Sequence, residues 1–115
     1  MSFAADFEWS APTADDAGAT RFTIQVPADL KFFDGHFVGD PIVPGVAQIV
    51  ALAEEGARRA FPELGTNAGL RRVKFMEALR PNDTLELAVE RSEKGVGFVV
   101  RKQGREASRG TLLFR

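Results

Sequence analysis

The sequence predicts an α+β fold in which an antiparallel sheet of about six strands wraps one long central helix. Three observations carry this. One stretch, Gly45 to about Phe61, reads as a helix whose first half is apolar nearly all round, the pattern of a helix enclosed by other elements. About six other segments read as strands, and the cleanest alternate apolar and polar residues. The last four follow one another through short turns, which makes an antiparallel meander. With 115 residues, a single domain over 1–115 is expected.

The first two strands are expected around Asp6–Ser10 and Arg21–Val26, on either side of the Asp15-Asp16-Ala17-Gly18 turn region. Phe22, Ile24 and Val26 alternate with polar residues, and Pro27 ends the run. A long segment, 28–44, follows with Phe32, Phe33, Gly35, His36, Phe37, Gly39 and two prolines. That is more aromatic and glycine content than a plain connector needs. The helix then runs through Val46, Ala47, Ile49, Val50, Ala51, Leu52 and Ala53. It turns polar at Glu54, Glu55, Arg58 and Arg59, and Pro62 and Gly65 stop it. Strands are expected over 70–79, 84–92, 96–103 and 107–115. They are separated by the turns Pro81-Asn82-Asp83, Glu93-Lys94-Gly95 and Gly104-Arg105.

Composition excludes several functional classes. The chain has no cysteine, so disulfides, thiolate nucleophiles and zinc-thiolate sites are ruled out, and a single histidine leaves no histidine-built metal site. The net charge of −1 gives no general capture of nucleic acid or anionic lipid. Charge is unevenly placed, with a balance of −6 over residues 1–70 and +5 over 71–115. A basic half can steer an acidic partner. Equally, Arg91, Lys94, Arg101, Lys102 and Arg105 can simply solvate the outer face of a sheet. The start, MSFAADFEWS, lacks the basic and apolar regions of a signal peptide, and 41–53 is too short and interrupted to span a bilayer, so a cytoplasmic location is expected.

The segment FFDGHFVGDPIVPGVAQ, residues 32–48, holds the candidate chemistry. His36 is the side chain whose unperturbed pKa lies near neutrality, which suits a general base. Gly35, Gly39 and Gly45 allow close backbone approach to a ligand. Pro44-Gly45 opens the helix, whose first N–H groups lack intrahelical acceptors and can polarise a carbonyl oxygen. A base beside such a helix end is equipment for removing a proton α to a thioester. From the residues alone, a histidine merely packed in a loop stays open as the other reading.

The same segment resembles the active-site motif of the hot-dog-fold 3-hydroxyacyl-[acyl-carrier-protein] dehydratases, the FabA/FabZ-like family. There His-Phe-x-Gly-x-Pro-x-x-Pro-Gly runs into the central helix. His36, Phe37, Gly39, Pro41, Pro44 and Gly45 fill every fixed position. The likeness continues through ADLKFFDGHF and VAQIVALA and is nearest to the ApeI-like aryl-polyene branch. Further on, RRVKFMEALRPNDTLEL is similar to the family's Lys-Phe strand and Pro-Gly-Asp turn, with Asn82 in place of the glycine.

The resemblance implies a hot-dog fold and a homodimer, or higher oligomer of dimers, with shared active sites. It also implies an acyl thioester substrate on an acyl carrier protein or coenzyme A. No cofactor is implied: no metal, nucleotide or flavin, and neither nucleic acid nor membrane as partner. His36 would take the C2 proton, backbone N–H groups near Gly45 would steady the enolate oxygen, and Phe33, Phe37, Val46 and Val50 would wall the acyl chain.

One position departs from the pattern. Family members carry a Glu or Asp fourteen residues after the histidine, where this chain has Val50. Glu54 follows four residues later, on nearly the same face of an α-helix and about 6 Å further along. It is the candidate replacement acid, or else a glutamate paired with Arg58 at i+4. Three functions follow as expectations: a dehydratase, a thioesterase on the same fold, and a catalytically impaired acyl-binding or heterodimer partner subunit.

Overall fold

The structure, a computed structural model, describes residues 7–15, 18–27, 45, 48–93 and 95–115. Among these, seven strands form one antiparallel sheet: β1 (Glu8–Trp9), β2 (Thr13–Ala14), β3 (Thr20–Gln25), β4 (Asn67–Phe75), β5 (Thr84–Arg91), β6 (Gly95–Lys102) and β7 (Arg105–Phe114). Their order across the sheet is β1-β3-β5-β6-β7-β4, and β2 pairs with the same edge of β3 as β1. The helix α1 has two parts, a π-wound stretch Gln48–Glu54 and an α-helical stretch Glu55–Ala60. The expected hot-dog arrangement, an antiparallel sheet wrapping a central helix, is what the chain adopts.

Period-two alternation builds the core. Phe22 and Ile24 on β3, Leu85, Leu87 and Val89 on β5, Val96, Phe98 and Val100 on β6 and Leu112 on β7 are all buried. They pack with Ile49, Leu52, Ala53 and Ala57 of α1 in one cluster. Gly56 sets the helix-to-sheet distance. A Cβ there would lie 2.3 Å from Leu87 Cδ2, so the helix sits closer to β5 than any side chain at 56 allows. Trp9 holds β1 to the body, meeting the Phe22 ring edge-on at 5.3 Å and lying under the Arg59 guanidinium at 4.3 Å.

The turn before β5 shows why its residues are Pro-Asn-Asp. Asn82 takes φ +68°, the left-handed region that glycine and asparagine enter most easily. The Asp83 carboxylate accepts the Arg80 N–H at 2.7 Å and pairs with Lys102 Nζ at 2.9 Å, and Lys102 also donates to the Ala78 carbonyl at 3.0 Å. Several basic residues of the second half are paired locally. Arg91 pairs with Glu63, Arg101 lies near Glu86 and Glu106, and Arg105 meets Glu77 at 2.6 Å.

Three expectations change. A short β2 appears where the sequence suggested only a turn region. The strand expected from residue 70 starts at Asn67, because it pairs with β7 up to Phe114. The first half of α1 is not enclosed all round: Val50 is 43% exposed, since the helix presents one side to a region that this sheet leaves uncovered.

Candidate functional site

The site is anchored at Gly45, three residues before the first described residue of α1. Gly45 already has helical conformation, and a Cβ on it would meet the Phe75 ring at 3.1 Å. Glycine therefore lets the helix start lie against the last residue of β4. Strand pairing shows which way that residue faces. Phe75 lies opposite Ser108 and Leu70 opposite Leu112, and directly paired residues share a face. Ser108 and Leu112 are fully buried, so Phe75 and Leu70 point to the helix side of the sheet. Both nevertheless remain open, at 50% and 45% exposure, as does Met76 at 47%. An apolar surface therefore borders the helix start on the β4 side.

Of the residues singled out from the sequence, His36, Phe33, Phe37 and Val46 lie outside the described residues. Val50 projects outward from α1, away from the core. Glu54 is half-buried and turned toward β4. Its Oε1 accepts a hydrogen bond from Asn67 Nδ2 at 3.1 Å and lies 3.6 Å from Arg58 Nη2. Arg58 continues the contact, donating to the carbonyls of Gly65 at 3.1 Å and Leu64 at 3.4 Å. Glu54 is thus one end of a polar clasp joining the middle of α1 to the loop that enters β4. Both Val50 and Glu54 belong to the π-wound stretch, with Val50 exposed and Glu54 half-buried.

Asn67 was not singled out from the sequence. It is one polar residue at the start of β4, and its partner is thirteen positions away. The hollows of the outer sheet face are separate from this region. One of about 400 Å³ is bordered by Arg21, Arg72, Arg101 and Arg109, and one of about 360 Å³ by Arg71, Arg72, Ser92, Glu93 and Thr111. Neither is lined by Gly45, Val50 or Glu54. Among the described residues, no group of three or more metal-ligating side chains could hold an ion.

The comparisons with known proteins bear on this geometry. The model of the ApeI-like family, ApeI dehydratase, matches residues 12–111. The chain belongs to this dehydratase family. It is similar to a 3-hydroxyacyl-[acyl-carrier-protein] dehydratase FabZ of Chloroflexus aggregans, at 44% identity over 63% of this chain and 56% of that one. A FabZ of Roseiflexus castenholzii is 37% identical over 84% of this chain and 73% of that one. The chain thus spans little more than half the length of the Chloroflexus relative. Among solved structures, the dehydratase heterocomplex ApeI:P from Xenorhabdus doucetiae matches with TM-score 0.79 and 24% identity, over 93% of this chain and 96% of that one.

That structure corrects the expected assembly. ApeI:P is a heterocomplex, so the homodimer, and the oligomer of dimers built from it, do not stand as the assembly to expect. The physical reason is plain in this chain. Exposed Leu70, Phe75, Met76 and Val50 call for a cover, but apolar residues do not require that the cover be an identical copy.

Proposed function

We propose that this chain acts in eliminating water from a 3-hydroxyacyl thioester carried by an acyl carrier protein or coenzyme A. The supporting observation is the complete His36-to-Gly45 motif leading into a helix start that Phe75 closes on one side. His36 removes the proton from C2, and N–H groups near Gly45 stabilise the enolate oxygen. The C2–C3 double bond then forms as the C3–O bond breaks, and the hydroxyl leaves as water after taking a proton. Phe33, Phe37, Val46 and Val50 line the acyl chain. Glu54 is the carboxylate proposed as proton donor.

One observation favours a second reading. Glu54 is already engaged by Asn67 and Arg58, as a structural carboxylate would be. In that reading the chain binds the acyl thioester and an unlike second subunit supplies the acid. The ApeI:P heterocomplex supports carrying an unlike partner over to this chain.

The test is an assay on 3-hydroxyacyl pantetheine thioesters that separates enoyl product from free thiol, since free thiol would indicate a thioesterase. His36→Ala should abolish enoyl formation with the fold intact by circular dichroism, and retained activity overturns the assignment. Glu54→Gln should lower the rate by about 10²–10⁴-fold if Glu54 is the acid and leave it unchanged if it is only a clasp. Val50→Glu should raise activity if the site lacks only the family's acid. Its folding has to be checked alongside by circular dichroism.

A further inference from the structure

Ser108 is fully buried, and its Oγ has no hydrogen-bond partner among the described residues. A hydroxyl enclosed without a partner costs stability that alanine at the same place would not. Its position is specific. On β7 it lies directly opposite Val100 of β6 on one side and Phe75 of β4 on the other, facing the helix. Neighbouring strands are about 4.8 Å apart. The hydroxyl is therefore one strand away from the residue whose ring lies against Gly45.

We propose that Ser108 is a positioning residue that hydrogen-bonds the 3-hydroxyl of the acyl substrate, an inference that rests on the thioester reading above in the form where Glu54 is a clasp and an unlike subunit supplies the acid. The 3-hydroxyl sits two carbons from the thioester carbonyl. A chain whose carbonyl is held at the helix start therefore carries its hydroxyl only a short distance into apolar surroundings. There the hydroxyl needs a partner. A serine hydroxyl rotates and both donates and accepts, so it can serve that oxygen without a charge. Substrate binding would satisfy two otherwise unpaired groups at once.

The experiment is calorimetric binding, in the assembly the full chain is purified in, of a 3-hydroxyacyl pantetheine thioester and of the saturated acyl thioester of equal length. The parent should bind the hydroxylated compound about tenfold or more tightly, as a site built to pair a hydroxyl does. Ser108→Ala should bring the two affinities within about threefold, with melting temperature unchanged or raised. Ser108→Cys, which fills similar space with a weak hydrogen-bonding group, should also lose the preference. Undiminished preference in Ser108→Ala overturns the inference. Equal binding of both compounds by the parent overturns it while leaving the thioester reading standing. Binding of neither overturns both.

Discussion

At the centre of the sheet, the inward apolar side chains Leu85, Leu87 and Val89 of β5 and Val96, Phe98 and Val100 of β6 are 2% exposed or less, whereas on β4 the inward Leu70 and Phe75 stay about half open. The residues are of one kind, large and apolar, and they face the same side. What differs is the cover. α1 packs on β5 and β6, with Gly56 beside Leu87, and leaves Leu70 and Phe75 of β4 about half open. The centre is closed by side chains of this chain, and the β4 side keeps exposed apolar surface. Stability therefore concentrates at the centre, and the β4 side borders the site proposed for the thioester.

Substitutions test that division. Leu87→Ala, at the point of closest helix approach, should cost about 2–5 kcal/mol and lower the urea midpoint accordingly. Asp83→Ala leaves the largely buried Lys102 without its carboxylate and frees the Arg80 N–H. The loss should be about 1.5–3 kcal/mol in the same measurement. Phe75→Ser should change the stability of the isolated chain by less than about 1 kcal/mol. Its effect should appear instead as lost co-purification with a second subunit. A large stability loss from Phe75→Ser, or none from Leu87→Ala, would break the comparison.

The smallest effect belongs to Glu77→Gln, beside the end of β4. The hydrogen bond from Arg105 holds the Glu77 carboxyl below its ordinary value. Because the folded value is lowered, the contribution is present above the ordinary carboxylate range and lost as pH falls through the folded value. Parent and variant should therefore differ slightly near neutral pH and converge under acid, seen by melting curves from pH 7 to 3. Both side chains are solvent-exposed enough that salt should narrow the difference further.

Leu85, Leu87 and Val89, and Phe22 and Ile24, were legible as core from alternation alone, and their burial follows from the period of a strand. The turn at 81–83 was legible too, and the left-handed φ of Asn82 explains why asparagine suits that position. Val50 was legible as apolar but not as exposed. Exposure depends on whether a second layer is present, and periodicity carries no information about that.

The sequence by itself determined most of the element types and the membership of a dehydratase family, because these depend on neighbouring residues and on a motif read along the chain. Only the tertiary structure decided that β4 pairs with β7 rather than with its chain neighbour β5. It also decided that Glu54 meets Asn67, and that Ser108 is sealed beside Phe75 with its hydroxyl unpaired among the described residues. Each of these joins residues or strands that the chain itself keeps apart. Their free energy comes from burial and pairing across that separation, which local pattern does not encode.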